Sequence, residues 1–345
     1  MSVDRALLER LPKTDLHIHL DGSLRPETIL ELARHDDVDL PFETVDDVRR
    51  FFTEDLPERD LVAYLERFDV TTAVMQTEPA LERIAFELVE DAAQENVWYM
   101  EVRYAPILSV KRGLSPRQVV DAIERGLRRG QEVYPRTRSH QIISGLRHFE
   151  PERALRLAAL AVEYKDRGVV AFDLAGAERD NPAKRFREAF YLVRDANLNV
   201  TVHAGEAYGP DSIHQALHWV GAHRIGHGVR LREDSDLMEY VRDHRIALEM
   251  CPTSNVQTGA VPSIELHPIR EYFDREIRVT INTDNRLMSN TTMTNELELC
   301  CRHLDFDLDE IKKVVLNGFK SAFLRYPERK ALIGEAIDAL GKIDG

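Results

Sequence analysis

Hydrophobic and polar positions along this chain follow two periods that trade places at regular intervals. Short apolar, often β-branched runs occupy residues 97–104, 141–146, 169–174, 200–203, 224–227, 246–250 and 278–283. Ahead of them, Leu16, Ile18 and Leu20 alternate with Asp15, His17 and His19, the period of two that marks a strand. Most intervening stretches carry the longer period of an amphipathic helix, at 80–93, 116–129, 152–166, 184–196, 211–220 and 234–243. A further helix begins at Pro26, and the tail from 309 to 345 predicts closing helices. Strand–helix alternation implies parallel strands joined by crossover helices. Eight such units in 345 residues predict an α/β fold of the (β/α)8 TIM-barrel type. No Gly-rich phosphate turn of the open-sheet folds follows any of the strands. With no repeat or linker, one domain is expected over residues 1–345.

One stretch breaks the rhythm. Residues 42–70 are irregular, with Phe51 and Phe52, a break at Pro57, and an amphipathic run through Leu61, Tyr64, Leu65 and Phe68. This is longer than an ordinary strand-to-helix connection, which makes it a candidate helical lid over a pocket. The aromatic residues also suit plain core packing, Phe68 more so than Phe51 and Phe52.

Polar residues gather at one register of the repeat. His17 and His19, two apart on a strand, share a face, and Asp21-Gly22 follows them. The fifth strand ends in His203, with Glu206 just beyond; the sixth holds His227 between Gly226 and Gly228; the eighth ends on Asp284. In a parallel barrel all these C-terminal strand ends open on one face, where such barrels do their chemistry. Three imidazoles and a carboxylate, His17, His19, His203 and Asp284, suit zinc or a similar borderline ion and leave a position for water. His227 is then left to orient or deprotonate that water, and Glu206 to shuttle a proton. The fourth strand ends Asp173-Leu174-Ala175-Gly176 without the lysine that bridges two metals in many barrel hydrolases, so one ion per subunit is expected.

Composition narrows the partners. A formal charge of −14 opposes nucleic-acid and anionic-membrane binding. Cys251, Cys300 and Cys301 are too few and too poorly spaced for a disulfide framework or a Cys-rich zinc site. Residues 1–13 lack the apolar core of a secretory signal, and no run approaches the roughly 20 apolar residues of a membrane span. A soluble cytoplasmic protein is the expectation. His214, His218 and His244 fall on helical faces and read as solvated.

The ordered motifs His17-Ile18-His19-Leu20-Asp21-Gly22-Ser23, Val102-Arg103-Tyr104-Ala105-Pro106, Asp173-Leu174-Ala175-Gly176, His203-Ala204-Gly205-Glu206, Gly226-His227-Gly228, Cys251-Pro252-Thr253-Ser254-Asn255 and Asn282-Thr283-Asp284 resemble the adenosine deaminase family of the amidohydrolase superfamily. The resemblance implies zinc on His17, His19, His203 and Asp284, with His19 also facing substrate. It implies that Glu206 protonates purine N1 while activated water, assisted by His227, attacks C6. The backbone of Gly176 would meet N3, and Asp21 the ribose 5′-hydroxyl. Adenine deaminases of this family tend to carry glutamate at that position, so aspartate favours a nucleoside. Where the family carries a second acidic residue that meets N7, this chain has Asn285, whose amide donates without needing a proton. The implied activity is hydrolytic deamination of adenosine and 2′-deoxyadenosine. The alternatives are deamination of adenine, N6-methyl-AMP or a 5′-modified adenosine, a non-catalytic nucleoside-binding barrel, and a metal-dependent ester or lactone hydrolase, which the missing bridging lysine disfavours. The cytidine deaminase signature, H-x-E with P-C-x-x-C, is absent.

Overall fold

A computed structural model describes residues 3–53 and 61–343, with the side chains of 61–63 left aside; the expectations for Pro57 and for the Leu61 side chain fall outside it. Eight parallel strands run in sequence order around one sheet: β1 Lys13–His19, β2 Val97–Tyr104, β3 Arg138–Leu146, β4 Val169–Ala175, β5 Asn199–Ala204, β6 Arg224–His227, β7 Ala247–Met250 and β8 Val279–Ile281. Helices cover the outside, as the alternating pattern requires. Their starts follow local chemistry: Ser115 and Gln118 form a capping box ahead of Pro116–Val133, and Thr77 caps Glu78–Gln94.

Two strands differ from expectation by more than one residue at an end. β3 begins three residues early, at Arg138, because Arg138, Ser139 and His140 pair with Tyr99, Met100 and Glu101 of β2 despite their polarity. β8 is shorter than 278–283 because side chains take over its ladder at the seam with β1. The Leu16 N–H donates to Asn282 Oδ1 at 2.9 Å, and Thr283 Oγ1 donates to Asp15 Oδ2 at 2.5 Å. Backbone pairing resumes one step on: His19 N–H donates to Asp284 O, and Asp284 N–H to His17 O, both at 2.8 Å. That bridge closes the barrel and holds Asp284 against the two β1 histidines.

The barrel interior carries buried charge as well as apolar layers. Glu249 of β7 accepts from Arg103 at 2.8 Å, from Arg224 at 2.5 Å and from Thr201 at 2.9 Å, and Arg224 also pairs with Glu101. Each buried ion here has a partner, without which its desolvation would cost several kcal/mol. Phe52 is fully buried in the core, whereas Phe68 is partly buried against the core and also lines the cavity above the strand ends. The helix Phe68–Ala73 places that ring near His19, with centroids 6.4 Å apart. His214, His218 and His244 are exposed. Among the described residues no helix is long and apolar enough to cross a membrane.

Candidate active site

All the strand-end residues singled out above meet at one end of the barrel. His17 Nδ1 lies 2.9 Å from Glu249 Oε2, and His203 Nδ1 lies 3.1 Å from Asp173 Oδ1. Burial alone would raise both carboxyls, but Arg103 and Arg224 around Glu249, and His203 and Arg103 around Asp173, hold them ionised, well below the usual carboxylate range. A carboxylate only accepts, so each imidazole donates from Nδ1 and bares the lone pair of its Nε2. Those two Nε2 atoms face each other at 3.0 Å, and His19 Nε2 is 3.1 Å from that of His203. Asp284 Oδ1 stands 3.4 Å from Nε2 of both His17 and His19.

Lone pairs aimed at one another repel unless a cation lies among them. Bonds of about 2.0–2.1 Å in a tetrahedral zinc site space the ligand atoms about 3.3 Å apart, so this donor set fits such an ion. His17, His203, His227 and Asp284 each bring a ligand atom within 4.8 Å of the others, which puts His227 beside the cluster as well. The backbone is shaped for this crowding. His227 and Asp284 both take left-handed φ, +63° and +60°, a conformation non-glycine residues adopt rarely and mostly at functional sites. At Gly226 a Cβ would come 2.9 Å from His17 Cε1, so only glycine lets the β6 backbone pass that ring.

Glu206 sits one turn past β5. Its Oε1 accepts from Thr258 Oγ1 at 3.0 Å, and its Oε2 faces His227 Nε2 at 3.5 Å. Burial raises its carboxyl pKa above the usual value, against the opposing pull of His227. Sequence reasoning missed what holds this turn. The buried Glu178 carboxylate accepts four consecutive backbone N–H groups, from Gly205 at 2.6, Glu206 at 3.1, Ala207 at 2.7 and Tyr208 at 2.9 Å. An amide in its place keeps one acceptor and turns an NH2 toward donors. Charge-assisted hydrogen bonds contribute about 1.5–3 kcal/mol each, so Glu178→Gln is expected to lower kcat roughly tenfold or more, with a smaller change in KM. Steady-state kinetics beside a thermal melt checks this; a folded variant with unchanged kcat would show that the clamp does not position Glu206.

The cavity above these groups is lined by His19, Asp21, Tyr64, Phe68, Gly176, His203, Glu206, His227, Asp284 and Asn285, so every predicted substrate contact faces it. Gly176 takes φ +89° with His148 against it, where a Cβ would lie 3.1 Å from His148 Nδ1. Oδ1 of Asp21 and Oδ1 of Asn285 are buried there without a hydrogen-bond partner. Burial, aided by Asp284, raises the Asp21 carboxyl to about 7. Reasoning from the sequence also passed over Thr258 and Glu249, and gave Asn255 no role beyond its place in a motif. Glu249 did leave a signal, a charge flanked by Leu248 and Met250 in a buried strand.

Comparison with known proteins agrees with this geometry. The adenosine deaminase family model matches residues 12–339. An adenosine deaminase of Mycolicibacterium gilvum is 44% identical, with 96% of this chain and 95% of the relative covered. The crystal structure of an adenine deaminase from Arthrobacter aurescens superposes with a TM-score of 0.88 at 26% identity, covering 96% of this chain and 99% of that one. An Arabidopsis N6-mAMP deaminase superposes at 0.86 with 30% identity, covering 96% and 99%. With the family model matching almost end to end and the strand-end cluster in place, the chain belongs to the adenosine deaminase family.

Proposed function

We propose that this protein deaminates adenosine and 2′-deoxyadenosine by hydrolysis, giving inosine or deoxyinosine and ammonia. The observation that carries this reading is the single cavity that holds Glu206, His227 and the cation-ready cluster on one side and Asp21, Gly176 and Asn285 on the others. A divalent ion, zinc in our assignment and one per chain, held by His17, His19, His203 and Asp284, would supply Lewis-acid activation of water. Glu206, whose carboxyl burial shifts toward the protonated form, donates to purine N1 and draws electron density from C6. Water adds at C6 and gives up a proton to the Glu206 carboxylate left by that donation. Glu206 passes a proton to the amino group, the C6–N6 bond breaks, ammonia departs, and the C6 hydroxyl loses its proton to leave the carbonyl. His227 orients the incoming oxygen. The Gly176 N–H meets N3, the Asn285 amide donates to N7, and Asp21 accepts the 5′-hydroxyl. Tyr64, Leu65 and Phe68, from the helices Leu61–Glu66 and Phe68–Ala73, form the cover over the base. We take residues 1–345 as one domain, and the three free, buried cysteines support a cytoplasmic setting.

Charge favours a nucleoside over a nucleotide. Among the described residues lining the cavity there is no lysine or arginine, while Asp21, Asp69, Glu206 and Asp284 all face it. Arg25, the cation nearest Asp21 in sequence, is engaged by Asp91 at 3.0 Å and Glu90 at 2.7 Å. A 5′-phosphate beside Asp21 would meet a carboxyl group and no lysine or arginine of the lining. We therefore expect kcat/KM for adenosine to exceed that for AMP or N6-methyl-AMP by at least about 10³-fold, and that for adenine by about 10²-fold, the scale of leaving buried polar groups such as Asp21 unpaired. A side-by-side assay of these substrates by purine absorbance decides it; AMP or adenine as the best substrate would overturn this assignment.

A further inference from the structure

Behind His227 lies a line of buried polar groups that no step above uses. The Ile269 backbone N–H donates to His267 Nδ1 at 3.3 Å. His267 Nε2 then lies 3.2 Å from Asn255 Oδ1, and Asn255 Nδ2 lies 3.0 Å from His227 Nδ1. The line ends at His227 Nε2, which faces Glu206 Oε2. His267, Asn255 and His227 are all buried, so water does not offer any of them a ready alternative partner.

We infer that this chain of hydrogen bonds, anchored on a backbone N–H, fixes the tautomer of His227 with its proton on Nε2, making His267 and Asn255 positioning residues for the reaction. The direction follows link by link. A backbone amide can only donate, so His267 Nδ1 must be the acceptor, and a neutral ring then carries its proton on Nε2. Burial above all pulls the His267 pKa to about 3, so the ring is neutral at physiological pH. Its Nε2–H donates to Asn255 Oδ1. The Cys251 N–H points at the same oxygen at 3.4 Å, which sets the amide the same way round. Asn255 is left presenting its NH2 to His227, whose Nδ1 accepts. A neutral His227 therefore shows Nε2–H to the cavity. In that form it holds the attacking oxygen as a hydrogen-bond donor and cannot serve as the base that deprotonates water, which leaves the proton traffic to Glu206. This deepens the deaminase assignment and rests on it for its consequence, but the tautomer itself does not depend on the substrate.

The test is ring-nitrogen NMR on protein labelled with 15N-histidine, with His227 assigned by loss of its signals in His227→Gln. We expect a protonated Nε2 and a bare Nδ1 in the zinc-loaded protein. Asn255→Asp puts an acceptor-only carboxylate against Nδ1 and is expected to move the proton to that nitrogen. It should lower kcat by roughly 10- to 100-fold with KM within about threefold and bound zinc unchanged. His267→Gln, which keeps a donor at similar reach, is expected to retain the Nε2–H form, whereas His267→Leu loses it. A bare Nε2 in the unmodified protein, or an Asn255→Asp variant with both tautomer and kcat unchanged, would overturn the inference. The NMR arm uses no substrate, so failure to deaminate adenosine leaves it readable and is a separate result.

Discussion

Glu206→Gln is expected to lower kcat by roughly 10³-fold while KM moves by less than about threefold. The substitution is nearly isosteric. Thr258 can still donate to the remaining carbonyl oxygen, and the Glu178 clamp acts on backbone amides, so the turn keeps its shape. What is lost is a transferable proton, since an amide N–H cannot pass to purine N1. That transfer belongs to the transition state, so the loss falls on kcat rather than on binding. Steady-state kinetics with metal content measured alongside checks it. Activity within tenfold of the unmodified protein would remove Glu206 from its role.

Asp284→Asn is expected to abolish stoichiometric metal binding and to lower turnover by at least about 10³-fold, the scale of losing several kcal/mol of Lewis-acid stabilisation. The barrel should survive, because the seam at this residue is made by its backbone, through His19 N and His17 O. What changes is the one anionic donor at the cluster. In the native site Ser254 Oγ donates to Asp284 Oδ2 at 2.6 Å and so points Oδ1 at the histidines. Burial would raise the Asp284 carboxyl, but His17, His19 and His227 around it hold it well below its usual range, ready to bind a cation. Metal analysis of purified protein and a thermal melt with and without zinc separate loss of the ion from loss of the fold. A variant that keeps one zinc per chain and most of its activity would contradict the ligand assignment.

The barrel was readable from the sequence because its strands are short apolar runs and its helices amphipathic, two periods that seldom mimic each other. The ends of β3 and β8 were not, since side chains set them: polar residues 138–140 pair along β2, and Asn282 and Thr283 replace backbone bonds at the seam. His17, His19, His203, Glu206, His227 and Asp284 were visible because each stands at a strand end, where one fold rule places them together. Glu178, Thr258, Asn255 and His267 sit on loops and short helices, whose positions no periodicity encodes. Their partners are found only once the chain is folded. Glu249 and Asp173 lie between these cases, as their charge marks them but their orienting of His17 and His203 appears only in three dimensions.

That orienting layer has a consequence for metal affinity. Such partners of a metal-bound imidazole commonly account for 10- to 100-fold in binding, so Asp173→Asn is expected to weaken zinc by that factor, measured by competition with a chromogenic chelator. Equal affinity would show that His203 needs no help in aiming Nε2.

The most direct measurement is adenosine turnover by metal-stripped protein as zinc is added back. We expect inosine production near zero in the stripped protein, rising linearly and reaching a plateau at one zinc per chain. Full activity without metal, or no inosine from protein holding one zinc per chain, would contradict it.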